Sequence, residues 1–160
     1  MKKIDYSNSQ AFFLVTLRVL IGWHFLYEGI VKVTNPNWSS IGYLMDSKGM
    51  FAGMFQSMAE NPGTLNVVNF LNEWGLVLVG LGLILGALTQ VASIGGIVML
   101  LFYYLSHPPM PLLTYEMPME GSYMIVNKTL IELFALAVLF VFPSGKIMGL
   151  DRIIFKLGKK

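Results

Sequence analysis

The chain has no cysteine in 160 residues. That excludes a disulfide, a CxxC thiol relay, a thiolate zinc site and a cysteine-held iron–sulfur cluster. Imidazole is nearly as scarce, with His24 and His107 the two histidines. A four-ligand metal site would have to be completed by carboxylates, and no metal or haem site is indicated. Charge is thin as well. Charged residues make up 12% of the chain, against about a quarter in an ordinary soluble domain, too few to cover a wet surface. The net charge of +2 is too small to suggest nucleic acid as a partner.

What is abundant is apolar. Hydrophobic residues make up 55% of the chain, with 16 Gly, 11 Met and 11 Phe. Glycine is tolerated in membrane helices and lets them approach closely. Four apolar runs follow one another, over residues 11–33, 64–86, 87–107 and 127–143. A helix needs about 20 residues to cross the hydrocarbon, so the long stretch 64–107 reads as two spans with a break near residues 86–90. The fourth run is short. The first is too long for a signal-peptide core and carries Arg18, His24 and Glu28. The expectation is an all-α integral membrane four-helix bundle, a single membrane domain over residues 1–160 with a basic tail at 144–160.

Two longer connections join these runs. In residues 34–63, Phe51, Met54, Phe55 and Met58 fall on one helical face. Such a face suits the core of a small extramembrane loop or an amphipathic helix in the membrane interface, and the pattern favours the interfacial helix. In residues 108–126, the prolines after His107 must stop the third helix. Seven of the eleven basic residues lie at the chain ends: Lys2, Lys3, Lys146, Arg152, Lys156, Lys159 and Lys160. An even number of spans puts both termini on one side, and the positive-inside rule makes it the cytoplasm. The loops then face outward with Asp46, Lys48, Glu60, Glu116 and Glu120. In the tail, Ile153, Ile154 and Leu157 alternate with Arg152 and Lys156, a pattern able to rest on anionic lipid.

The most informative stretch is RVLIGWHFLYEGIVKV, residues 18–33. Ionisable groups inside a span are costly and usually face protein or water. Arg18, His24, Glu28 and Lys32 fall within an arc of about 120° on a helix. His24, Glu28 and Lys32 are successive i, i+4 neighbours, so Glu28 is able to pair in either direction. The outer half of the bundle also receives Glu73 and Trp74 from the second run, Tyr103, Tyr104 and His107 from the third, and Lys128 and Glu132 from the fourth. One shared polar site opening outward is the reading, with His24, Glu28 and Glu132 as its reactive groups. Arg18, Lys32, Glu73, Tyr103, Tyr104, His107 and Lys128 would line it for substrate. Each has a plainer account: Arg18 packing, Lys32 and Lys128 snorkelling, and the aromatics forming an interfacial belt. The set holds no redox centre. It suits anion binding, proton relay or a quinone headgroup, and equally a transporter or lipid site.

The pattern R-x-x-x-G-x-x-F-x-x-x-G-x-x-K, filled by Arg18, Gly22, Phe25, Gly29 and Lys32, resembles the first span of the DoxX family. The following NPNW-x-S-x-x-Y-L, then LVLVGLGLILGALTQVAS and YYLSHPP, are similar to its DoxD-type members. The resemblance covers residues 11–145. It implies a four-helix inner-membrane protein of bacteria or archaea. DoxD-type members are associated with thiosulfate:quinone oxidoreductase, in which thiosulfate becomes tetrathionate and electrons pass to quinone. Many members have no established activity, and the thiosulfate reaction is described with a second subunit. The resemblance therefore implies a quinone-linked subunit, with quinone as cofactor, a small sulfur anion, and a partner subunit or further copies of itself. The alternative is a non-enzymatic transporter, lipid-binding or assembly protein using the same cavity.

Overall fold

The computed structural model describes residues 6–117 and 124–157. Lys2, Lys3, Lys159, Lys160 and Glu120 lie outside the described residues. Within those residues the chain is helical and has no strand. Three helical stretches are long and apolar enough to cross a membrane: Asn8–Val33, Pro62–Leu85 and Thr89–Ser106.

The first, α1 (Asn8–Val33), starts at a capping box. Gln10 N–H donates to Ser7 Oγ at 3.3 Å, and Ser7 N–H donates back to Gln10 Oε1 at 2.9 Å. It stops just before Asn35-Pro36, where the proline ring disfavours helix for the preceding residue. Two short helices, α2 (Ile41–Met45) and α3 (Ala52–Glu60), follow in the first connection.

The second stretch is composite. It opens as α4 (Pro62–Phe70), with Pro62 in the first turn and the Asn61 side chain capping Thr64 N–H at 3.1 Å. A π-helical turn, Leu71–Gly75, comes next, and α5 (Leu76–Leu85) completes it. The turn beyond needs left-handed backbone at Gly86, φ 65°, and at Leu88, φ 49°. Only the first of these is cheap. The third stretch is α6 (Thr89–Ser106), and α7 (Lys128–Val141) is capped by the Asn127 side chain on Leu130 N–H. At 14 residues, α7 is about 21 Å long, shorter than the hydrocarbon is thick. A 3₁₀ turn, Ser144–Lys146, leads into α8 (Asp151–Leu157).

α1 packs chiefly on α5, α5 on α6, and α6 on α7, while α1 and α7 touch more lightly. The α1–α5 crossing is set by absent side chains. A Cβ on Gly80 would stand 2.5 Å from Leu26 N and 2.7 Å from Gly22 O, so only glycine allows this approach. Phe25, Leu76, Leu83, Leu100, Leu136 and Leu139 fill the centre. The outward faces are equally apolar: Leu20, Leu78, Val91 and Phe134 are all more than 60% exposed. A bundle apolar inside and out is built for lipid.

The first connection folds back over the bundle end remote from the tail, the outer end in the orientation expected from the basic residues. Leu44, Phe55 and Ala59 are buried against Leu65, Val68 and Leu105. The apolar stripe of α3 is thus divided. Phe55 is buried and Met58 packs beside it, whereas Phe51 and Met54 remain exposed.

Candidate functional site

The polar residues of α1 separate into two groups, one in each half of the helix. In the outer half, His24 Nδ1–H donates to Glu132 Oε1 at 2.7 Å, joining α1 to α7, which otherwise touch lightly. The carboxylate orients the ring and leaves the other nitrogen for a further partner. The His24 side chain is 57% exposed and that of Glu132 is 16% exposed. One turn further, Lys32 Nζ donates to Glu28 Oε2 at 2.7 Å. Lys32 Nζ also stands 5.8 Å over the Trp38 ring. Lys128 opens α7, one turn before Glu132.

Glu28 also lies within electrostatic reach of Tyr103. The Tyr103 hydroxyl donates to Asn72 Oδ1 at 2.5 Å, and Asn72 Nδ2 donates to Val68 O at 2.9 Å. That last bond meets a carbonyl next to the π turn, where the regular helical ladder is interrupted. Asn72 is a polar residue of this end with no role in the sequence pattern above. Its signal was its place beside Glu73, closing the series Asn66, Asn69, Asn72. Glu73 follows it in the same turn, half-buried.

At the inner end, Arg18 is buried, 3% exposed. Its Nη2 donates to Met148 O at 2.8 Å and its Nη1 to Ser144 Oγ at 3.4 Å. Asp151, 2% exposed, accepts from Leu88 N–H at 2.7 Å, Thr89 N–H at 3.0 Å and Thr89 Oγ1 at 2.5 Å. These bonds cap α6 and hold the left-handed Leu88 in place. Arg18 lies six residues, about 9 Å, below His24 along α1. It anchors the tail and does not contribute to the His24–Glu132 group. Asp151, the single acid among residues 144–160, was visible in sequence; its role as a cap was not.

His107 and Tyr104 are placed elsewhere again. His107 is 2% exposed and lies between Tyr43, at a centroid distance of 3.9 Å, and Tyr115, at 4.8 Å. Its Nε2 is 3.9 Å from Asp46 Oδ2, within ion-pair range but beyond a hydrogen bond. Asp46 Oδ2 accepts from Glu116 N–H at 3.0 Å and Met117 N–H at 3.1 Å. Burial pushes the Asp46 carboxyl up, but the two N–H donors, with His107 and Lys48 nearby, outweigh it and hold it below its usual value. Tyr104 donates its hydroxyl to Ile125 O at 2.8 Å. Both residues thus tie the outer connections down. Among the described residues, no group of three or more His, Cys, Asp and Glu is arranged to hold a metal.

The His24–Glu132 and Glu28–Lys32 pairs therefore form one polar face on the outer half of the α1–α7 seam, with Tyr103 and Asn72 behind it. This face can take up and release protons, and its lysine can hold an anion. No curated protein and no solved structure matches the chain. The DoxX family model matches residues 13–108, more than half of the chain, running from α1 through α6. Glu132 and the tail lie beyond the matched residues. This all-α chain, with its three apolar helices of membrane-crossing length, belongs to the DoxX family.

Proposed function

We propose that this DoxX-family protein is a quinone-linked oxidoreductase subunit of the bacterial plasma membrane, working through the polar face on the outer half of the α1–α7 seam. α7 is the fourth span in this reading, extended by its flanking residues to cross the bilayer. Both termini are cytoplasmic, because basic residues crowd the chain ends. α3 lies at the outer interface, with Phe51 and Met54 turned to lipid.

The observation that carries the reading is the 2.7 Å bond from His24 to Glu132. It holds an imidazole in one orientation, more than half exposed, at the depth where a lipid-soluble quinone travels. The residues fit such a headgroup. Nδ1–H of His24 is engaged by Glu132, so in the imidazolium form the Nε2–H is left to donate to a quinone oxygen. Quinone supplies the electron acceptor when bound. Oxidation of thiosulfate to tetrathionate releases electrons but no protons, so the protons that quinol formation consumes must come from the protein or the water outside. The His24–Glu132 pair is the group able to deliver them, with Glu28 next in line. Lys32 is the cation able to draw a small sulfur anion to the same face.

The test is to purify the intact protein from its membrane and assay extracted quinone. Thiosulfate-dependent quinone reduction is then measured for the unaltered chain and for Glu28→Gln and Glu132→Gln. Bound quinone that is lost in these variants, with reduction slowed at least tenfold, is the expected result. Absence of quinone, and of its reduction by any sulfur donor tried, overturns the reading.

One observation favours a second account. Both carboxylates are already paired, Glu28 with Lys32 and Glu132 with His24. Such a face is also suited to clasping helices in a lipid-binding or assembly protein. A stable partner subunit captured with the protein, unaffected by His24→Ala and Glu28→Gln, is the result that account expects.

A further inference from the structure

The inner end of the bundle is uneven. α1 has 26 residues and is about 39 Å long, whereas α6 has 18 and is about 27 Å long. Arg18 is level with the turn that closes α5, since a Cβ on Gly86 would stand 2.9 Å from Arg18 Nη1. Residues 8–17 of α1 therefore overrun that turn by about 15 Å. They are still apolar on the outside, with Phe12 64% and Phe13 68% exposed. This overrun belongs in hydrocarbon, and it leaves a shoulder beside it at the inner boundary of the bilayer.

Residues 144–151 are docked against this end of the bundle, and α8 runs on from them. Asp151 N–H donates to Gly86 O at 2.8 Å, and Leu150 N–H to Leu85 O at 3.1 Å. The Asp151 carboxylate caps Leu88 and Thr89, and Arg18 holds Met148 O, as described above. What this docked segment turns outward is of two kinds. Met148 is 66%, Ile153 56% and Ile154 43% exposed, and the cation Arg152 is exposed among them. Between residues 144 and 160 the sequence carries Lys146, Arg152, Lys156, Lys159 and Lys160 against the one acid Asp151. That acid is spent inside, on Leu88 and Thr89, and Arg152 stands exposed beside the two isoleucines.

We infer that the docked tail is a binding surface for anionic lipid headgroups, which hold it against the inner leaflet while Ile153 and Ile154 enter the acyl region. Exposed apolar side chains beside cations, held level with the end of the spans, match the two components of such a surface. A soluble acidic protein would satisfy the cations and leave the isoleucines wet. The inference needs the membrane placement of the helices and is independent of the quinone reading.

The full chain in detergent is titrated with phosphatidylglycerol and, separately, phosphatidylcholine, and bound lipid is counted by native mass spectrometry. Phosphatidylglycerol is expected to bind tighter. Its advantage should fall about fivefold with Arg152→Gln and about fivefold again with Lys156→Gln, near the contribution of one cation at a charged surface. Raising salt to about 0.5 M on the unaltered protein should erode the same advantage, because screening is then strong. Equal binding of the two lipids overturns the inference and leaves an acidic protein as the occupant. So does an advantage that survives both substitutions or the salt, since the lipid would then be bound elsewhere.

Discussion

The two halves of α1 hold charge in opposite ways. At the inner end, Arg18 and Asp151 are each about 97–98% buried and bonded to backbone groups, Ser144 or Thr89. At the outer end, His24 is 57% exposed and bonded to a single carboxylate, and Glu28 is 48% exposed with Lys32 as its partner. The same rule, that ionisable groups in a span face protein or water, covers both. Its consequences differ. A charge enclosed by backbone donors and acceptors is mortar, because moving it or its proton leaves those groups unpaired. A charge with one partner and an open side can exchange a proton or take a ligand. Exposure and the number of bonds separate the structural end from the candidate functional one, and residue type does not.

The sharpest way to break this contrast is Asp151→Ala. It removes three accepted hydrogen bonds and leaves Arg18 buried without its nearby carboxylate. Unfolding in detergent should show a loss of about 3 kcal/mol. A loss below about 1 kcal/mol would mean that the inner end is wetter than its burial indicates. Next comes Gly80→Ala, in the crossing that holds the two ends in line. The new Cβ meets backbone 2.5 Å away, so α1 and α5 must part, at about 2 kcal/mol by the same measurement. An unchanged stability would show that this crossing is slack.

Smaller effects are expected at the outer end. Glu132→Gln should lower stability by less than about 1 kcal/mol, as for an accessible pair, while abolishing quinone-linked turnover. A loss near that of Asp151→Ala would put His24–Glu132 with the structural group. Smallest is the pH response of the outer cap. Asp46 has a folded-state pKa below its unfolded value, so its stabilisation is complete above the unfolded value, about 4, and is lost as pH falls through the folded one. Thermal unfolding should therefore be insensitive to Asp46→Asn in its pH trend above about pH 4, and the unaltered chain should lose its advantage over the variant only below that. A difference that shrinks between about pH 5 and 7 would assign the titration to another group.

Local features of the fold are visible along the chain. The Ser7 and Gln10 capping box, Asn35-Pro36 after α1, Asn61-Pro62 before α4 and Gly86 after α5 each mark an end by their own chemistry. The π turn at Leu71–Gly75 has no such mark, because an extra residue in a helix is accommodated by packing and by bonds such as Asn72 to Val68 O. The stripe of α1 was equally visible as a spacing. Its division was not. Arg18, His24, Glu28 and Lys32 share a face, yet what meets each one arrives from elsewhere: Ser144 and Met148 at one end, Glu132 at the other.

By itself, the sequence determined that this protein is all-helical, apolar enough for a membrane and a member of the DoxX family. Those properties depend on composition, period and local motifs, which act over a few residues. Only the tertiary structure decided that His24 meets Glu132, 108 positions away, that Arg18 meets the tail, and that His107 is enclosed by Tyr43 and Tyr115. Such meetings depend on how helices cross and where loops return, and close approaches such as Gly80 against Gly22 set them. The physical reason is range: a hydrogen bond is settled within about 3 Å, and nothing in the order of residues along one helix specifies what another helix brings to that distance.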